Sequence, residues 1–217
     1  MNNQLLGQLF QVIVLIFLTI IHEVSHGLMA YKLGDNTAKD MGRLTLNPLK
    51  HLEFFGSFLV PLLFIMSGSP FILGWAKPVP FNPYNLKNPK RDGALIAAAG
   101  PTSNFLIAII FGLIVRIIAG FSAVAASPVL VNVLMLINLI IFVSVLLGVF
   151  NLIPIPPFDG SRIVFPFLKG GAERLWLQLE QYGTFLVILL LFGGLLSLIY
   201  PIVVFIYKLI AGPAAIL

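Results

Sequence analysis

From Leu5 to Ile21 the chain is apolar at nearly every position, and no charged side chain occurs anywhere in residues 1–21. An unbroken apolar run of that length predicts the start of a membrane-spanning helix. Two further runs, about Asp92 to Ala119 and about Val129 to Leu152, predict two more spans. The segment Phe54 to Leu73 is equally apolar, but Pro61 stands in its middle, Gly68-Ser69-Pro70 near its end, and both flanks are basic. It is expected to be re-entrant, entering and leaving on one side, because non-helical backbone at membrane depth needs protein or water to satisfy it. Tyr182 to Leu217 is apolar again, interrupted by Gly193-Gly194 and Pro201, and suggests one span followed by a half-span or interfacial helix. Two stretches leave the helical pattern. Trp75-Ala76-Lys77-Pro78-Val79-Pro80-Phe81-Asn82-Pro83 cannot hold a regular helix and reads as extended. Gly42-Arg43-Leu44-Thr45-Leu46 alternates like a short strand, an edge that an extended peptide could join at Leu44.

Composition turns these runs into a class. Hydrophobic residues make up 59% of 217 positions, charged residues 10%, and the mean hydropathy is +1.04, far from a soluble globular domain. The expectation is an all-α polytopic membrane protein of about five to six membrane segments, the re-entrant one included, with short extended or β elements near the cytoplasmic face. A single membrane-embedded domain over 1–217 is expected, with a core at 4–172 and C-terminal membrane segments at 182–212. Residues 1–4 carry no cationic region, so the first helix reads as retained and not as a cleaved signal. Nothing in the chain suggests a nucleic-acid partner.

Charge sets the orientation. Eleven of the thirteen Lys and Arg lie in Lys32–Lys50, Lys77–Arg91 and Arg162–Arg174, and between Ile117 and Phe158 there is no charged residue. By the positive-inside rule all three stretches are cytoplasmic. The first helix then runs out to in, the second in to out, and the third returns.

Into the inner end of the first helix the sequence puts His22-Glu23-Val24-Ser25-His26. Ionisable groups at membrane depth are costly and usually carry function. Four residues turn a helix by about 400°, so both imidazoles share a face with Glu23 beside it. Counting about 1.5 Å per residue from Leu5 sets His22 roughly 25 Å from the outer surface. The chain has no cysteine, so a metal here must be held by His and carboxylate. A catalytic zinc ion usually keeps three protein ligands and an open position. Among the acidic residues Asp159 stands apart, at the end of an uncharged span where Pro154, Pro156 and Pro157 break the helix and Gly160 permits a sharp turn. It is a credible third ligand on the cytoplasmic side.

These residues, with Gly100-Pro101-Thr102-Ser103-Asn104, match in order the three hallmarks of the site-2 protease family, intramembrane zinc metalloproteases of peptidase family M50, which the chain resembles from Ile21 to Gly160. The resemblance implies that His22, His26 and Asp159 bind one catalytic Zn2+, that Glu23 is general base and acid, and that Asn151 steadies the substrate or the oxyanion. It implies a transmembrane protein as substrate, the lipid bilayer as surroundings, and a multi-pass cell-membrane location with the active site towards the cytoplasm. The chain departs from better-known members in lacking a PDZ insert and a CBS pair, and in carrying Phe158 where leucine is more usual.

Plainer readings compete. A His-x-x-x-His pair can be polar packing, and Asp-Gly alone is a common turn. Gly100-Pro101 is most simply a kink with close packing, and Asn104 an interhelical donor, though both can position substrate. His51 and Glu53 read as interfacial caps or anchors before they read as a second metal site. The function classes left are proteolysis within the membrane and a non-proteolytic zinc-binding membrane protein, a sensor or transporter. The latter needs ligands along a path, and three histidines are few for one.

Overall fold

The structure, a computed structural model, describes residues 3–67, 72, 74–120, 127–192 and 194–216. Among them nine α-helices and no strand occur. The three expected spans appear as α1 (Asn3–Lys32), α4 (Pro89–Ala119) and α5 (Pro128–Asn151). Short helices α2 (Thr37–Asp40) and α3 (Val60–Met66) lie between α1 and α4; α6 (Asp159–Val164), α7 (Gly171–Gln181), α8 (Gly183–Phe192) and α9 (Leu195–Ala211) follow α5. Among the described residues four segments are long and apolar enough to cross a bilayer, the fourth being Leu195–Ala214. Their outer faces carry bare apolar side chains, Leu198 at 72% and Phe205 at 69% exposure, which lipid accepts and water does not. The protein is an all-α polytopic membrane protein.

The order at the C-terminal end differs from the expectation. The short helix, α8, comes first and the long one, α9, second. Gly194 sits at φ +84°, left-handed backbone from which α9 begins, and the ten residues of α8, about 15 Å of helix, fall short of a span. The Gly68-Ser69-Pro70 break, Gly193 and most of the expected loop at Gly120–Pro128 lie outside the described residues.

The chain forms two compact units, residues 1–100 and 101–217, with the division inside α4. In the first, the helical part of the 54–73 segment starts as a wide π-helical turn, Phe55–Leu59, and continues as α3. Pro61 has no N–H to give, and the wide turn falls just where its ring would crowd the preceding carbonyls. Glu53 caps this start: its Oε1 accepts from the Gly56 N–H at 3.1 Å while its own N–H donates to Ser57 Oγ at 3.1 Å, the reciprocal pattern of a helix cap. The Trp75 N–H then reaches the Gly56 carbonyl at 3.1 Å, so residues 56 and 75 are neighbours.

Gly42–Leu46 is not a strand, which corrects the sequence expectation. Gly42 takes φ +62° as α2 ends, and its N–H closes on the Lys39 carbonyl. Arg43, which alternation would set facing outward, is buried at 6% exposure because its Nη2 donates to the Lys77 carbonyl at 2.8 Å and to that of Pro78 at 3.3 Å. Leu44 lies against α1 at Gly27, where a β-carbon would come within 2.6 Å of its Cδ2. Both side chains turn inward, so no edge is presented.

Asp35, fully buried just past α1, ties this unit together. Its Oδ1 accepts from Thr37 Oγ1 at 2.6 Å, Thr37 N–H at 3.2 Å and Asn85 Nδ2 at 2.7 Å, and its Oδ2 from the Asn82 N–H at 2.7 Å. Burial alone would raise the carboxyl pKa, but the hydrogen bonds from Thr37, Asn85 and Asn82 together outweigh it and hold it below the ordinary 3.8. A pKa depressed by folding stabilises the fold above the unfolded value and ceases to do so as pH falls through the folded value. The thermal midpoint of the detergent-solubilised protein should therefore hold from pH 7 to about 5 and drop below about pH 4, and Asp35→Ala should cost about 3 kcal/mol at pH 7 and flatten the acid limb. Differential scanning of both proteins across that range checks it.

In the second unit α5 packs on α9. Ile137, Ile141 and Val145 meet Val203, Tyr207 and Ala211. Lipid is as apolar as these side chains, so close packing and polar contacts hold such helices together. Asn138, buried in α5, gives its Nδ2 to the Leu134 carbonyl at 2.9 Å and accepts from the Tyr207 hydroxyl, which itself accepts from the Ile216 N–H at 2.9 Å. Arg116, at the end of α4, donates to the carbonyls of Leu209 and Ile210 and closes the end of α9.

Candidate metal centre

Helix α1 delivers His22 and His26 to one face, buried at 5% and 8% exposure, with their rings edge to face and their Nε2 atoms 3.0 Å apart. The second ring has a fixed tautomer. His26 Nδ1 lies 2.7 Å from the Ile96 carbonyl on α4; a carbonyl can only accept, so Nδ1 carries the proton and Nε2 offers its lone pair. Two imidazole ligands of a tetrahedral zinc ion, each about 2.0–2.1 Å from it, lie about 3.3 Å apart. The pair therefore suits such an ion in spacing and burial, and His26 suits it in proton placement as well.

Gly100 makes the space. A β-carbon there would stand 2.4 Å from His26 Nε2 and 2.6 Å from His22 Cε1, closer than side chains tolerate. The Gly-Pro pair thus has a steric task at the two imidazoles in addition to any kink.

Glu23, half-buried beside this face, accepts at Oε2 from the main-chain N–H of Val79 at 2.8 Å. Beside it the fully buried His51 directs Nε2 to the Thr45 carbonyl at 2.8 Å, and its own carbonyl accepts from the Lys77 N–H at 2.7 Å. Burial lowers the His51 pKa and the charge of Arg43 adds to this, against the upward pull of the Thr45 carbonyl and Glu23. The imidazole is neutral at pH 7 and serves as a tie between loops. Glu53 is a helix cap.

In the second unit, α5 ends at Asn151, and Asp159 stands half-buried in the first turn of α6. Its turn is fixed from three sides. Phe158 is buried against Phe150 of α5, with ring centroids 4.6 Å apart; Ser161 Oγ donates to the Phe158 carbonyl at 2.8 Å; and the Trp176 indole of α7 donates to the Ser161 carbonyl at 3.1 Å. Gly160 serves by close approach and not by torsion. It lies inside α6 and is not among the positive-φ glycines, but a β-carbon on it would meet the Leu152 carbonyl oxygen at 2.2 Å. Asn151 is half-buried and gives one Nδ2 proton to the Leu147 carbonyl at 3.0 Å, which leaves its other proton for a ligand. Asn104 is fully buried in α4. Leu44 packs on α1 at Gly27.

Ile96, Val79 and Trp176 were not singled out in the sequence. Pro78-Val79-Pro80 did carry a signal, a lone N–H donor between two residues that have none.

Comparison with known proteins places the chain. A curated protein of Bacillus subtilis (strain 168), named "Putative zinc metalloprotease YwhC", is 39% identical over 189 residues, which cover 84% of this chain and 80% of that one. The chain belongs to peptidase family M50. Residues 115–194, which include Asn151 and Asp159, match the profile of that family. Two mycobacterial proteins, each named "Putative zinc metalloprotease Rip2", are similar at lower identity. The one from Mycolicibacterium smegmatis is 28% identical over 79% of this chain and 62% of its own length; the one from Mycobacterium tuberculosis (H37Rv) is 26% identical over 87% and 69%. No solved structure matches the chain. As an M50 peptidase it is a zinc metalloprotease, a membrane-embedded hydrolase with a protein substrate.

Proposed function

We propose that this M50 peptidase cleaves within the membrane, hydrolysing peptide bonds in or near the transmembrane segments of other membrane proteins, with its active site towards the cytoplasm. In this reading His22, His26 and Asp159 hold one zinc ion. The observation that carries it is the convergence of two buried Nε2 atoms to 3.0 Å on a membrane helix, with a carboxylate at the next residue held in a fixed orientation.

Zinc, when bound, acts as a Lewis acid on the scissile carbonyl and lowers the pKa of a coordinated water to about 7. Glu23 takes the proton of the attacking water and returns it to the leaving amine. Asn151, with a proton to spare, donates to the developing oxyanion, a bond that strengthens where water is excluded. Asn104 steadies the substrate. A helical substrate hides its carbonyls in its own hydrogen bonds and must unwind before attack. The proximity of Gly56 and Trp75 supports a re-entrant course for residues 54–73, since a full crossing would set its ends about 30 Å apart. The concentration of Lys and Arg beside the inner ends of α1 and α5 supports the cytoplasmic placement.

The test is on Asp159. Purified wild type should carry one zinc per chain and cleave a single-span test protein. Asp159→Asn should lower zinc affinity by at least about tenfold, as loss of a charged ligand does, and lose cleavage with it. Stoichiometric zinc and undiminished cleavage in Asp159→Asn would place the third ligand elsewhere.

A further inference from the structure

The carboxylate of Glu23 has a partner that the chemistry above does not use. Residues 74–82 run without helix past α1, and three of their main-chain N–H groups are spent in sequence. Trp75 donates to the Gly56 carbonyl at 3.1 Å, Lys77 to the His51 carbonyl at 2.7 Å, and Val79 to Glu23 Oε2 at 2.8 Å. Alternate residues of an extended chain direct their N–H groups to the same side. One edge of this strap therefore presents donors at period two. The first two take backbone carbonyls, and the third takes a side chain.

That third donor is isolated by the sequence. Pro78 and Pro80 have no N–H, so across residues 78–80 only Val79 can donate, and the flanking rings hold the backbone extended. Its place is set by contacts that do not involve Glu23. Arg43 holds the Lys77 and Pro78 carbonyls, and Asp35 holds the Asn82 N–H. The Val79 side chain is buried at 6% exposure, its Cγ1 2.7 Å from where a β-carbon on Gly27 would stand, close beside α1. A donor so placed binds one carboxylate oxygen and leaves the other, Oε1, to exchange a proton.

We propose that Val79 is a positioning residue, whose main-chain N–H fixes the Glu23 carboxylate for proton transfer, with Pro78 and Pro80 there to make that N–H the only one available. The inference rests on the proteolytic reading of Glu23. Its weight falls on kcat and not on zinc or substrate affinity, since Val79 is given no contact with either.

Two measurements on the zinc-loaded full chain in detergent test it. The first is amide hydrogen exchange. Residues 78–80 contain a single exchangeable amide, that of Val79, so the difference between overlapping fragments with and without them reports one proton. Glu23→Ala should speed that exchange at least about tenfold, while Glu23→Gln, which keeps an acceptor oxygen, and the amides of Trp75 and Lys77 should stay near wild type. An unchanged Val79 amide in Glu23→Ala would overturn the proposal. The second is kinetic, with a tagged single-span membrane protein as probe. Val79→Pro removes the donor within a backbone already extended, and Val79→Ala keeps it. Val79→Pro should lower kcat about 10- to 100-fold, as misplacement of a catalytic group does, with KM and bound zinc unchanged, and Val79→Ala should remain within about threefold of wild type. Equal losses in both variants, or loss of zinc from Val79→Pro, would show a structural role and overturn it. Should Val79→Pro fail to fold, the exchange comparison decides alone. Cleavage by Glu23→Gln at the wild-type rate would instead sink the role given to Glu23 in proteolysis, on which the inference rests, whatever the Val79 amide does.

Discussion

Glu23→Gln should retain one zinc per chain and lose about a thousandfold in kcat on a single-span test protein, the largest kinetic effect expected of any single substitution here. The amide is isosteric with the carboxylate and keeps an oxygen for the Val79 N–H, so the strap along α1 stays where it is. His22 and His26 are untouched, with His26 still oriented by the Ile96 carbonyl. What the substitution removes is a group able to accept a proton from water and pass it on. Zinc by elemental analysis and cleavage in the same preparation separate the two properties. A variant that binds zinc and still cleaves at more than a tenth of the wild-type rate would remove Glu23 from the chemistry.

The reach of the sequence can be judged residue by residue. The three firm spans were legible because a bilayer imposes a length that only about twenty apolar residues satisfy; α1, α4 and α5 begin and end close to where the hydropathy changes. The His22–His26 face was legible because helical periodicity fixes it without any tertiary information. Gly42–Leu46 was misread because alternation reports a strand only when one edge finds a partner, and here buried Arg43 is held by two carbonyls 34 and 35 residues away. The order of α8 and α9 turned on which side of Gly194 the longer run lay, a choice that composition does not make. The partners of the site were hidden for a common reason. Ile96 and Val79 act through main-chain atoms, and a backbone carbonyl or N–H has no signature in side-chain chemistry. Only the prolines flanking Val79 mark it, by removing its competitors.

Gly100 supplies the second large effect, on the metal and not on the proton. Gly100→Ala adds one methyl group at a point 2.4 Å from His26 Nε2, 2.5 Å from its Cε1 and 2.6 Å from His22 Cε1. Neither ring is the loose end of a flexible chain. His26 is tethered through Nδ1 to Ile96, one turn before Gly100 on the same helix, so moving it away breaks a 2.7 Å hydrogen bond at a buried site. The methyl group must therefore separate the two imidazoles or push α4 away from α1. Either response spoils the 3.0 Å spacing of the two imidazoles proposed to hold the ion. Zinc affinity should fall at least about a hundredfold, the upper range for disturbing groups that orient metal-bound histidines, and cleavage should fall with it. The control lies on the same helix: a β-carbon on Gly93 meets nothing within 4 Å, so Gly93→Ala should bind zinc as wild type does and gain about 0.5–1 kcal/mol in stability from a stiffer unfolded chain. Competition against a chelator, with circular dichroism to confirm equal helix content, compares the two. If Gly100→Ala held zinc as tightly as Gly93→Ala, His22 and His26 would not be the pair that binds it, because no ion can sit between two rings that a methyl group has forced apart.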